Sequence, residues 1–268
     1  MQQPMSRADH SERFPVLYVT DSDDFFGGLK NLAAIMQGFG EVPRFILVGI
    51  GYDNSAASES LRMRDLLPRD IRTLFREEIE QVFNSAFVSG LDNLDIITNT
   101  TDAREFQRFI SDELMPFINS RYPTLPDDCT YFGYSAGGAF GLYTLFTEPQ
   151  TFCRYILGSP ATSYGGRPFA IEMAKSFAKT GRPMEARVFM SVGELEEFKR
   201  GYGQFDLVTG FYQLAKHLKN SPIANLHLTT RVFPDETHAT AWTLAFSHGL
   251  RSLLGAVEQV PYWPEFLK

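Results

Sequence analysis

The chain is poor in cysteine, with only Cys129 and Cys153 among its 268 residues. Neither stands in a C-x-x-C or Cys/His zinc spacing, which argues against a disulfide framework or a metal clip and predicts two reduced structural thiols. Basic clusters are also missing, and the formal net charge is −7 with a pI near 5.3. A field of that sign repels phosphate backbones, so nucleic acid is not expected as a partner. There is no apolar run of the roughly eighteen residues needed to span a bilayer. The segment from Met1 to Arg13 lacks the apolar core of a secretory leader. A cytoplasmic location is therefore expected, although a leader already removed would leave no trace.

What is present is the composition of an ordinary globular protein, 44% hydrophobic and 21% charged. The length suits one large α/β domain spanning residues 1–268. Phe14–Thr20 is a short apolar run without helical period, followed by the polar turn Asp21-Ser22-Asp23-Asp24, and predicts a buried strand. Leu29–Phe39 carries apolar residues at helical spacing and stops at glycine. The alternation then repeats. Strands are predicted at Phe45–Ile50, Cys129–Phe132, Arg154–Leu157, Arg187–Val192 and Leu226–Phe233. Helices are predicted at Asp102–Arg121, from Ala136, at Pro168–Lys179, Leu207–Lys219 and Thr240–Leu254. Such alternation implies a mostly parallel sheet with helices on both faces. Residues from Gly51 to Thr101 break the pattern and are too long for a simple connection, which predicts a substrate-facing insertion or cap.

Gly133-Tyr134-Ser135-Ala136-Gly137 is a G-x-S-x-G sequence, which chance alone would supply in about one chain in ten of this composition. Its context is more specific, because it follows the apolar Tyr131-Phe132 and opens a helical stretch. That is the strand, sharp turn and helix needed to lift a serine Oγ out of a sheet as a nucleophile. The same turn aims backbone N–H groups at a developing oxyanion, with Ala136 as one donor. A second donor is expected from the loop after the first strand, at the N–H of Ser22 or Asp23, provided the carboxylates there face away.

Of the five histidines, His10, His217, His227 and His248 fall in the polar terminus, two helices and a strand. Only His238 lies in a loop, between the last strand and the last helix, where an imidazole can reach Ser135 and act as its base. The third member of a triad is expected after the penultimate strand, where Glu194, Glu196 and Glu197 all fit; spacing does not choose among them. Tyr134, Tyr52 and Arg62 are candidate substrate-binding residues. Arg62, Arg64 and Arg69 are a charge run that could meet an anionic substrate but ordinarily reads as a solvated face. Phe75, Phe83, Phe87, Tyr164 and Trp242 suggest an apolar acyl or aryl pocket, although aromatics more often build cores.

Several of these segments together resemble the putative esterase family of α/β-hydrolases, which includes esterase D, enterochelin-type siderophore esterases and mycolyltransferases. The resemblance rests on Phe14-Pro-Val-Leu-Tyr-Val-Thr-Asp-Ser22, Leu47-Val-Gly-Ile-Gly51-Tyr52, the Ser135 turn, Ser191-Val-Gly-Glu-Leu-Glu196 and the His238 loop. It implies an α/β-hydrolase fold with a Ser-acid-His triad and neither cofactor nor metal, acting on a small-molecule ester. Similarity to the esterase D members points to Glu196 as the acid. Val48-Gly-Ile-Gly51-Tyr52 with Arg62 and Asp65-Leu66-Leu67-Pro68 is most similar to the siderophore-esterase branch. The family commonly has Asp-Gly where this chain has Asp21-Ser22, and begins with further strands ahead of the one at Phe14. On the same scaffold, acyl transfer to an alcohol and a catalytically silent binding protein are the alternatives to ester hydrolysis.

Overall fold

The computed structural model describes residues 12–52, 58–68, 102–163, 168–197 and 206–255. Among the described residues six strands form one sheet, every adjacent pair parallel, in the order β2-β1-β3-β4-β5-β6. They are β1 Phe14–Val19, β2 Ile46–Gly49, β3 Thr124–Tyr134, β4 Arg154–Gly158, β5 Ala186–Gly193 and β6 Leu226–Phe233. The α/β-hydrolase expectation of a mostly parallel sheet covered on both faces is met. Side chains alternate strictly between the two faces, as a pleated strand requires. Val16 and Tyr18 of β1, Tyr155 and Leu157 of β4, and Val188, Met190 and Val192 of β5 enter one core. Leu17, Val19, Ile156 and Phe189 enter the other.

The second core is closed by two helices, α1 (Ser22–Gly38) and a helix at Ala241–Leu254, here the last described. The first takes its cover from α2 (Ser58–Leu66), α3 (Ala103–Arg108), α4 (Met115–Arg121), α5 (Ala136–Thr147), α6 (Phe169–Ala178) and α7 (Leu207–Asn220). The helix at Ala241–Leu254 is α8. Among the described residues no helix is long and apolar enough to cross a membrane.

Three departures from the sequence reading have local causes. First, α1 begins at Ser22 rather than Leu29, so the expected polar turn is the helix's first turn. Asp21 caps it in the left-handed region at φ 56, and Asp23 and Asp24 suit the positive end of the helix dipole. Second, the expected continuous helix Asp102–Arg121 contains a π-helical turn at Phe109–Leu114. Pro116 has no N–H to give to the preceding turn, and a wider turn just before it accommodates that loss. Third, β3 starts five residues earlier than Cys129, despite Pro126 and two aspartates that read as turn residues. Phe14 pairs with Thr124 and Val16 with Cys129, so an irregularity in register absorbs the extra residues.

Cys129 and Cys153 are both free, each donating its S–H to a carbonyl oxygen, of Pro126 and Cys129 respectively. Burial and the neighbouring Cys153 push the Cys129 thiol up to about 12. It is therefore a packing group and not a nucleophile at neutral pH.

Strand order reverses between β1 and β3, because the chain leaves β1 toward β2 on one side and later builds β3 to β6 on the other. In open parallel sheets the crevice at the carboxyl end of such a switch point is where ligands bind. Asp21 lies two residues beyond β1 there, and Ser135 directly follows β3.

Candidate active site

Ser135 joins β3 to α5 at φ 56, ψ −116, a conformation strained for any residue with a Cβ and worth about 1–3 kcal/mol. The surroundings hold it there. Its N–H donates to Gly158 O at 3.0 Å, and its carbonyl accepts from Ala139 N–H at 3.0 Å and Ala161 N–H at 3.2 Å. Both motif glycines are required by close approach. A Cβ on Gly133 would lie 2.2 Å from Gly137 O, and one on Gly137 would lie 2.5 Å from Thr20 Oγ1 and 2.9 Å from Asp21 Oδ2. Ala136 opens the twelve-residue helix α5, so its N–H lies in the first turn, where helical N–H groups lack carbonyl partners.

His238 lies on the loop between β6 and α8, and its Nδ1 is 2.8 Å from Glu196 Oε2. Glu196 follows β5 in a short 3₁₀ turn (Glu194–Glu197), and its side chain is 0% exposed, against 12% for His238. The other Glu196 oxygen accepts from Gly193 N–H at 2.7 Å and from the Ser159 hydroxyl at 2.6 Å. The carboxylate is thus satisfied on both oxygens, which is what makes its burial tolerable. Tyr134, immediately before Ser135, donates its hydroxyl to His238 O at 2.8 Å, and the two rings lie 4.8 Å apart. The histidine loop is therefore fastened to the turn that carries the serine.

Of the three glutamates, the structure brings only Glu196 to His238. Glu194 is exposed and accepts from Asp235 N–H at 3.2 Å, and Glu197 accepts from the backbone and hydroxyl of Thr209. His217, His227 and His248 lie on α7, β6 and α8, away from the loop. His10 lies outside the described residues.

Other expected site residues are placed differently from the sequence reading. Ser22 N–H donates to Ile50 O at 3.1 Å, which commits it to joining β2 and α1 and leaves Asp23 of the two oxyanion candidates. The Asp23 carboxylate turns to Tyr52 N–H at 2.5 Å. Tyr134 is 2% exposed, so it supports the site from beneath and does not present a face to substrate. Arg62 and Arg64 are not a solvated face. Arg62 Nε and Nη2 grip Asp21 at 2.6 and 3.2 Å, and Arg64 grips Asp65 at 2.6 and 2.9 Å. Burial and the carboxylates of Asp65 and Asp21 push the Tyr52 phenol far up, so it remains protonated. Trp242 packs on Phe25 at 5.2 Å and over Gly28, between α8 and α1. Phe75, Phe83, Phe87, Tyr164 and Arg69 lie outside the described residues, as does most of the Gly51–Thr101 segment.

Two contributors escaped sequence reasoning. Asp21 was seen only as a turn residue, and its sole signal was its place at the end of the first strand. Ser159 had a similar signal, a Gly158-Ser159-Pro160 turn at the carboxyl end of β4.

A family model described as Putative esterase matches residues 87–253. The ferri-bacillibactin esterase of Bacillus subtilis is 29% identical over 192 residues, which cover 69% of this chain and 61% of that protein. The aligned region thus spans about 61% of that relative's length. The crystal structure of the BES protein from Bacillus cereus superposes with a TM-score of 0.72 at 25% identity, covering 95% of this chain and 87% of that one. An IroE-like serine hydrolase from Shewanella oneidensis shares the fold with a TM-score of 0.72 at 23% identity, over 94% of this chain and 74% of that one.

Proposed function

Because the chain belongs to the putative esterase family, whose model matches more than half of it, we propose that it is a serine hydrolase of carboxylic esters. The observation that carries this reading is the His238–Glu196 contact of 2.8 Å on a loop fastened, through Tyr134, to the strained Ser135 turn. In this reading Ser135 Oγ attacks the ester carbonyl while His238 Nε2 takes its proton. Glu196 accepts the Nδ1–H and stabilises the imidazolium that forms. The N–H of Ala136, with Asp23 as second candidate, faces the oxyanion. The alcohol leaves with the proton from His238, and a water activated by the same imidazole then releases the acid from the acyl-enzyme.

The substrate class follows from the same family. The ferri-bacillibactin esterase relative supports a siderophore ester, and Tyr52 and α2 lie at the switch-point edge through their contacts to Asp23 and Asp21. The reading is tested by turnover of p-nitrophenyl esters and of a siderophore trilactone by wild type and Ser135→Ala. Loss of at least about a thousandfold in kcat is expected for the variant. Undiminished turnover by Ser135→Ala would overturn the serine mechanism, and turnover of the simple esters without the trilactone would overturn the substrate class.

A further inference from the structure

Ser159 ends β4 with φ 42, a left-handed conformation in which glycine or asparagine would be less strained. It is 1% exposed, and its N–H donates to Ser191 O at 2.7 Å, so the turn is fixed from both sides. What serine adds there is a hydroxyl. That hydroxyl donates to Glu196 Oε1 at 2.6 Å, on the oxygen that also accepts Gly193 N–H at 2.7 Å. With Oε1 bonded twice the carboxylate cannot rotate, and Oε2 is left to His238 Nδ1 at 2.8 Å. The Ser159 Oγ also stands 3.2 Å from Tyr134 Oη, which donates to His238 O at 2.8 Å. The contacts therefore close a ring through the carboxylate, the imidazole, the histidine's own backbone and the residue before the nucleophile.

We propose that Ser159 is a positioning residue for the Glu196–His238 pair, acting through the carboxylate and not on substrate; the proposal rests on the ester-hydrolase reading above. Its electrostatic effect has a definite sign. The unprotonated pair carries one negative charge and the protonated pair none. A donor to Glu196 stabilises the former more, whichever site holds the proton, so removing the hydroxyl disfavours the unprotonated pair. Among the described residues, the charged side chains beside the pair on the two flanking loops are Glu194, Glu197, Asp235 and Glu236, all exposed or half-buried, and replacing Ser159 leaves them in place.

The test measures kcat, KM and the pH dependence of kcat/KM with a p-nitrophenyl ester, for Ser159→Ala and Ser159→Gly, each in the wild-type and Glu196→Ala backgrounds. Ser159→Gly removes the hydroxyl while relieving the backbone, so a shared defect is not one of folding. In the wild-type background kcat should fall about tenfold with little change in KM, as for loss of one charge-assisted hydrogen bond. The acid limb should move to higher pH. In the Glu196→Ala background the same changes should alter kcat less than about twofold, because the partner is gone. Unchanged kcat and pH profile, or an equal loss without Glu196, would overturn the proposal. If Ser135→Ala is inactive while both Ser159 variants match wild type, only this inference falls. If Ser135→Ala retains turnover, the reading beneath it falls instead.

Discussion

Glu196 and Asp21 are both buried carboxylates at the carboxyl edge of the sheet, on opposite sides of β3, yet they are neutralised in different ways. Asp21, with a side chain 1% exposed, is gripped at two points by the Arg62 guanidinium, a cation that does not give up its proton. Glu196 is held by a backbone N–H, a hydroxyl and the imidazole of His238, and of these only the imidazole can take up a second proton. A carboxylate locked to arginine fastens one element to another, here α2 to the end of β1. A carboxylate locked to histidine responds to where a proton is. Burial alone therefore does not single out Glu196 as the proposed acid; its partner does.

The comparison can be broken from either side. The largest effect is expected at Glu196. Glu196→Gln keeps the shape but loses the charge that supports an imidazolium, and kcat should fall by about three orders of magnitude with the circular-dichroism spectrum unchanged. Turnover close to wild type would mean that Glu196 is only a structural acceptor.

On the other side the loss should be in stability. Arg62→Met leaves Asp21 buried without its cation and should cost about 3 kcal/mol in urea unfolding, a figure reduced by the partial exposure of Arg62. Adding Asp21→Asn, which tolerates the left-handed backbone, should recover most of that loss. A double variant no more stable than Arg62→Met would show that the ion pair is not what holds α2.

The smallest effect is expected at Tyr134, whose hydroxyl reaches the histidine loop at a backbone carbonyl and not at the imidazole nitrogens. Tyr134→Phe should cost about 1 kcal/mol of stability and lower kcat severalfold through a looser histidine loop. A rise in KM with kcat intact would instead argue for the substrate contact expected from the sequence.

Much of this was legible in the sequence because hydrophobic period and chain order report on a parallel sheet directly. β6 matches its predicted bounds of Leu226–Phe233, and α7 differs from its predicted bounds by one residue. Helix starts were less legible where polar residues serve two purposes. Ser22-Asp23-Asp24 suits a turn and equally the first turn of a helix, and only the packing of Leu29, Ala33 and Met36 decides. The three glutamates after β5 were indistinguishable by spacing, since a tight 3₁₀ turn sends one inward and leaves its neighbours outside. Pairings such as Asp21 with Arg62, or Ser159 with Glu196, join residues 41 and 37 apart and carry no local pattern at all.

The strand order has a consequence for how the proposed active site forms. Ser135, Glu196 and His238 follow β3, β5 and β6, strands that must all be laid down in register, with β4 between them, before the proposed triad can assemble. Helical content can form early and locally, whereas turnover demands the last and most distant pairings. On the proposed mechanism, recovery of catalysis would serve as a late-reading clock for refolding, and no proteolytic fragment ending before β6 would keep time.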